Sequence, residues 1–212
     1  GILGLLPALG LASGGAHPLE SANIDPTDKA SLQRGAKAYI DYCMGCHSLQ
    51  YMRYNRMAED LGIEEADLRK NYLLGDARPG DLMTISMRPE DGEKWFGTAV
   101  PDLSLVTRWR QPFMKPWESG ADWVYTYLKG FYVDPARPYG VNNLAFPAVG
   151  MPHVLQGLQG IQEPVMGEKH GDAPAPVTGV KLVQAGSLSE EQYDTLVRDL
   201  SNLDRKEHTS EL

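Results

Sequence analysis

The chain has 212 residues, is 42% hydrophobic and contains 22 glycines and 15 prolines. This composition suits one domain with a buried core and many turns, and it excludes a disordered chain. A formal charge of -8 argues against nucleic acid as a partner and favours a basic protein drawn to an acidic surface.

In chain order, Gly1 to Ala12 is apolar and uncharged, with small residues at Gly10 and Ala12 spaced for signal cleavage. Residues 1–13 therefore read as the remnant of an export signal. A helix of that length spans only about 18 Å against a hydrocarbon core of about 30 Å, so it is not a membrane span. Asp25-Pro26-Thr27-Asp28 supplies caps for a first helix. Leu32, Ala36, Tyr39, Ile40 and Cys43 then fall on one helical face, with Gly35 beside it where a second helix can approach. A further helix is expected from Glu64 to Leu74, followed by a loop-rich stretch from Gly75 to Pro116. Asp122 to Tyr132 reads as an aromatic-rich helix, and Asp134 to Gly150 as extended chain broken by prolines. Residues 162–186 form a long surface loop or a short hairpin. Ser189-Glu190-Glu191-Gln192 is a capping box, with an apolar stripe of Tyr193, Leu196, Val197, Leu200 and Leu203 behind it. Residues 204–212 read as a polar tail.

The chemistry lies in Cys43-Met44-Gly45-Cys46-His47. Cys43 and Cys46 are the only cysteines in the chain, so a structural disulfide elsewhere is excluded. A redox dithiol of the thioredoxin kind needs a βαβ setting, and the flanks here are helical. A structural zinc site needs four ligands, and no second cysteine pair exists to supply them. Thioether attachment of a c-type haem remains. One turn presents both sulfurs to one edge of the macrocycle, and the adjacent imidazole becomes the proximal iron ligand.

A low-spin electron carrier needs a sixth ligand, and a methionine raises the potential relative to a second histidine. Of the eight methionines, Met44, Met52 and Met57 lie too close to His47 in sequence to cross to the opposite face. Met83, Met87, Met114 and Met166 remain as alternatives. Met151 sits in Phe146-Pro147-Ala148-Val149-Gly150-Met151-Pro152-His153, a stiff helix-free loop suited to holding a thioether against iron. His153 competes on chemical grounds.

An ordered set of segments makes the chain resemble the cytochrome c1 family of proteobacterial type. It runs from Arg34-Gly35-Ala36 through Tyr42-Cys43-Met44-Gly45-Cys46-His47-Ser48 and Tyr51-Met52-Arg53-Tyr54-Asn55-Arg56 to Trp95-Phe96-Gly97. Pro101-Asp102-Leu103-Ser104, Gly120-Ala121-Asp122-Trp123-Val124-Tyr125, Asn142-Asn143-Leu144-Ala145-Phe146-Pro147 and Gly150-Met151-Pro152 complete it. The resemblance implies an all-α cytochrome c fold with long inserted loops over residues 14–203, carrying one covalent haem c. It implies Met151 as the sixth ligand, Arg110 as partner of a haem propionate, Trp123 as part of the pocket wall, and Pro101 among the haem-binding residues. The family's role is a non-catalytic one within the cytochrome bc1 complex: it takes an electron from the Rieske iron–sulfur protein and passes it to cytochrome c. That implies cytochrome b as a neighbour, a dimeric membrane complex, and a place on the periplasmic side of the bacterial inner membrane. The family's C-terminal transmembrane helix is not among these residues, because the pattern dissolves after Leu200. That departure keeps a free periplasmic cytochrome c as the rival reading.

Glu59, Asp60, Glu64, Glu65 and Asp67 crowd five acids into nine positions, and Glu90, Asp91 and Glu93 add more. Such density is expected to steer a basic partner.

Overall fold

The computed structural model describes residues 17–112, 115, 118–169, 171 and 174–207. The apolar stretch at Gly1–Ala12, Met114, His170 and His208 lie outside the described residues.

Helix α1 (Lys29–Ala38) begins where the Asp28 carboxylate accepts hydrogen bonds from the Ala30 and Ser31 amides at 3.0 and 3.1 Å. It widens into a π-helical turn, Tyr39–Cys43, closed by the Met44 amide on the Tyr39 carbonyl at 2.9 Å. Then come β1 (Leu49–Arg53), α2 (Tyr54–Leu61), α3 (Glu65–Asn71), β2 (Leu82–Met83), α4 (Pro89–Phe96) and α5 (Val106–Trp109). The second half holds α6 (Gly120–Lys129), β3 (Phe131–Val133), β4 (Val141–Asn143), α7 (Gln156–Gln159), β5 (Gly160–Met166), β6 (Val177–Ala185) and α8 (Glu190–Glu207).

The first and last helices cross at Gly35. A Cβ there would lie 2.2 Å from the Asp199 carbonyl oxygen, so only glycine permits this approach. The Arg34 guanidinium forks onto the Asp199 carboxylate at 2.6 and 3.0 Å. Asn202 reaches across to the Asp25 carbonyl at 2.7 Å and to Ser31 Oγ at 3.0 Å. The core they enclose joins Leu32, Ala36 and Ile40 to Val197, Leu200 and Leu203, with Met57, Leu61 and Met83 from the intervening elements. A second, smaller cluster of Phe131, Val141 and Val149 packs with Tyr127 and Met151.

The expected all-α class is overturned. Among the described residues, three antiparallel two-stranded sheets, β1–β2, β3–β4 and β5–β6, stand among the helices. Their strands carry no clean alternation of buried and exposed positions, which is the pattern that marks a strand in sequence. β6, for example, has no buried residue along its length. The stretch at 162–186 is accordingly a hairpin, and a long one.

Other boundaries moved for local reasons. The aromatic helix ends at Lys129: Gly130 packs against the Thr126 carbonyl, and Phe131 and Tyr132 enter β3. The helix expected from Glu64 to Leu74 is shorter, and α2 precedes it where no element was expected. The capping box at Ser189 and Gln192 is formed. The helix behind it continues to Glu207, through the start of the expected polar tail. No helix among the described residues is long and apolar enough to cross a membrane.

Candidate functional site

The motif turn continues the π turn directly. The amides of Cys46 and His47 both bond to the Cys43 carbonyl at 3.0 Å, so the two sulfurs and the imidazole issue from successive turns of one helical segment. The Tyr39 hydroxyl donates to the His47 carbonyl at 2.6 Å and fastens the end of that segment. His47 Nδ1 lies 2.7 Å from the Pro101 carbonyl oxygen. A carbonyl only accepts, so Nδ1 carries the proton and Nε2 is left with its lone pair for a metal. Burial pulls the His47 imidazole below its ordinary pKa, and the Pro101 bond opposes this only in part. The ring is thus held neutral, the form that ligates.

Neither cysteine is in a disulfide, and both are partly buried. Burial, aided by the nearby carboxylate of Asp204, pushes the Cys43 thiol up to about 12. A disulfide-exchange cysteine needs the opposite shift, toward a stable thiolate. The surroundings therefore disfavour redox-dithiol chemistry.

Cys43, His47, Pro101, Arg110, Trp123 and Met151 line one cavity of about 360 Å³. Cys46 lies in the adjoining depression of about 80 Å³, which shares Cys43, His47, Pro101 and Met151 with it. The remaining wall is largely apolar, including Leu49, Val106, Val149 and Leu200. The size falls within the range of about 300–1,000 Å³ usual for cofactor clefts. Two thiols, an imidazole with Nε2 available, a thioether and a guanidinium around an apolar slot are a donor set that fits a haem.

The competitors for the sixth position separate cleanly. Among the described methionines, Met151 is the one that lines this cavity. Met44, Met52, Met57 and Met83 are buried in the main core, Met87 lines a different groove, and Met166 is exposed on the hairpin. His153 stacks face to face on Phe131 at 4.6 Å, and its Nε2 meets Gln159 Oε1 at 2.8 Å. It is absent from the cavity wall.

The loop that presents Met151 is built by side-chain amides. Asn143 Oδ1 accepts from the Ala145 and Phe146 amides at 2.9 and 3.2 Å, and Asn142 Oδ1 accepts from the Ala148 amide at 2.8 Å. The Arg137 guanidinium donates to the Ala148 carbonyl at 2.7 Å. Ala148 sits at a φ of 63°, a strained position for a residue with a Cβ, which these bonds hold. The Asn142-Asn143 pair was visible in sequence only through the family resemblance; nothing in its spacing announces a loop clamp.

Arg110, one residue past α5, places its guanidinium carbon over the Trp123 ring at 4.2 Å and over the Phe146 ring at 4.8 Å. Burial pulls its guanidinium down from the ordinary value. Trp123 stacks on Tyr127 at 4.9 Å, and the Tyr127 hydroxyl donates to Met151 Sδ at 3.3 Å. Sequence reasoning counted Tyr127 among several aromatics of its helix without giving it a part.

The acidic stretch is less acidic in three dimensions than along the chain. Asp60 pairs with Arg56 at 2.9 Å, Glu65 with Arg69 at 2.6 Å, and both Glu90 and Asp91 with Arg88.

Comparison with known proteins agrees with this geometry. The model described as Cytochrome C1 family matches residues 21–159. The cytochrome c1 of Allochromatium vinosum is 61% identical over 199 residues, covering 93% of this chain and 78% of that protein. A protein named ammonia monooxygenase gamma subunit, from Nitrosomonas europaea, is 43% identical over 200 residues, covering 93% of this chain and 76% of that one. The cytochrome c1 of Rhodobacter capsulatus is 26% identical over 156 residues, covering 64% and 56%.

Proposed function

Given that the chain belongs to the cytochrome c1 family and carries one covalent haem c, we propose that Cys43 and Cys46 attach the porphyrin and that His47 and Met151 hold its iron. The chain is the haem-bearing electron-transfer subunit of the cytochrome bc1 complex. In this reading it receives an electron from the Rieske protein and hands it to cytochrome c, on the periplasmic side of the membrane and within a dimeric complex. The observation that carries the ligand assignment is the shared cavity, in which Cys43, His47 and Met151 face one apolar slot.

A bound haem supplies a reversible one-electron couple at its iron. The chain's own residues set the conditions for that couple. Pro101 fixes the tautomer of His47, so the imidazole needs no rearrangement between oxidation states. The asparagine clamp fixes the loop that leads to Met151. Trp123, Tyr127 and Phe146 keep water out, which disfavours the more highly charged ferric state and supports a high potential. Arg110, partly desolvated at the same cavity wall, would meet the charge of a haem propionate. Tyr42, 42% exposed, and Val154, 43% exposed, rim the depression at Cys46 and give a partner a short approach to the site. Residues 1–13 as a signal remnant and a haem domain from residue 14, which α8 carries past residue 203 to Glu207, complete this reading of the chain.

The test is Met151→Leu in the matured protein. The near-infrared methionine-to-iron band should vanish, and the midpoint potential should fall by on the order of a few hundred millivolts, within the span that axial ligands control. An unchanged spectrum would remove Met151 from the iron.

A further inference from the structure

Tyr127 has more polarity than its packing needs. Its ring stacks on Trp123 and meets Phe131 edge-on at 5.2 Å, contacts that phenylalanine would make equally well. The residue is nevertheless partly buried against Phe131, Val141 and Val149, a setting in which a polar group is costly unless it is bonded. The bond it makes is to Met151 Sδ, at 3.3 Å.

Both ends of that bond are anchored through one residue. Asn143 Nδ2 donates to the Tyr127 carbonyl at 2.7 Å, while Asn143 Oδ1 organises the loop that leads to Met151. The last turn of α6 and the methionine loop are therefore tied together beside the contact. Random apposition of a phenol and a thioether would not be braced in this way.

We propose that Tyr127 is a positioning residue for the sixth ligand, donating its O–H to the Met151 sulfur and so fixing the sulfur's orientation and lowering its donor strength toward iron. The inference rests on Met151 being that ligand. A thioether sulfur has two lone pairs; the phenol takes one and directs the other into the cavity. Density drawn off by the hydrogen bond weakens donation to ferric iron more than to ferrous iron, because the ferric ion depends on it more. The hydrogen bond therefore raises the potential, and its loss lowers it.

The experiment compares matured wild-type protein with Tyr127→Phe, with Met151→Leu, and with a protein carrying an ortho-fluorinated tyrosine at 127, a more acidic donor of nearly the same shape. Tyr127→Phe should keep the methionine-to-iron band, titrate at a lower midpoint potential, and in its ferric form bind added imidazole in place of methionine more weakly than wild type, because the sulfur freed of the hydrogen bond is the better donor. The fluorinated protein should shift the potential upward. If the band is missing from wild type or survives in Met151→Leu, the ligand reading fails and the inference fails with it. If the band behaves but Tyr127→Phe matches wild type in potential and imidazole affinity, the ligand reading stands and the role of Tyr127 is overturned. Should Tyr127→Phe not accumulate, the fluorinated protein decides, and an unchanged or lowered potential counts against the proposal.

Discussion

Arg110 shows how a single side chain ties composition to redox behaviour. Its guanidinium is partly desolvated and sits in the corner formed by the Trp123 and Phe146 rings, a place that favours a delocalised planar cation over a compact ammonium. A positive charge held there opposes the extra charge of ferric iron. Arg110→Gln should therefore lower the midpoint potential, by on the order of tens of millivolts given that about 59 mV is tenfold in a one-electron equilibrium. Arg110→Lys should recover only part of the loss, and redox titration of the two variants distinguishes charge from stacking. Residues of this kind differ in how readily they are read from sequence. The attachment motif is legible because its chemistry forces five contiguous residues. Met151 is half-legible, through its stiff loop. The His47–Pro101 bond and the Tyr127–Met151 bond are not, because they join positions 54 and 24 apart whose proximity only the fold creates.

At the scale of elements, the helix crossings decide whether the site exists. α1 leads through the π-helical turn into the motif, and α8 lies against it at Gly35. Gly35→Ala should destabilise the protein by more than about 2 kcal/mol in thermal or denaturant unfolding, because the clash is with backbone that cannot move aside. Gly157→Ala, with open space around it, should stay within about 1 kcal/mol of wild type. Gly120 is the corresponding contact between α6 and α5, where a Cβ would lie 1.7 Å from the Thr107 carbonyl oxygen. Its replacement should also displace Arg110 and lower the potential. A second tie is ionic: Lys129 on α6 lies 2.6 Å from Glu20 and 2.8 Å from Asp194 on α8. Burial would raise the Asp194 carboxyl, but the Lys129 ammonium and the Tyr125 hydroxyl outweigh it and hold the group below its ordinary 3.8. A depressed carboxyl contributes stability above its unfolded value and loses it as pH falls through the folded one. Asp194→Asn should therefore cost about 1 kcal/mol near neutrality, the pair being only partly buried. Melts below about pH 3 should show the two proteins converging.

For the molecule as a whole, helices with a single apolar face were the legible part. α1 and α8 alternate core and solvent with the helical period, and their caps are in the sequence. α2 escaped notice despite the same amphipathicity, because it follows β1 without a turn signal and is only eight residues long. Of the strands, β5 and β6 were foreseen as one of two readings of 162–186; β1 to β4 escaped because each pairs with one neighbour, so hydrophobic alternation is not needed to hold them. Charge was misjudged for a related reason: a window along the chain is not a surface. Between Arg53 and Asn71 lie five acids, but also Arg53, Arg56, Arg69 and Lys70, carried on the same short elements. Ion pairs within α2 and α3 leave that face nearly neutral beyond a Debye length of about 8 Å at physiological salt. The chain's overall charge of -8 then steers a basic partner as a diffuse field, with no single acidic spot dominating. Association with a basic cytochrome should slow as salt is raised, yet Glu59→Gln with Glu64→Gln should change the rate at physiological salt by less than about threefold. Stopped-flow measurements across a salt series check both. A tenfold loss in the double variant would restore the acidic stretch as a docking site in its own right.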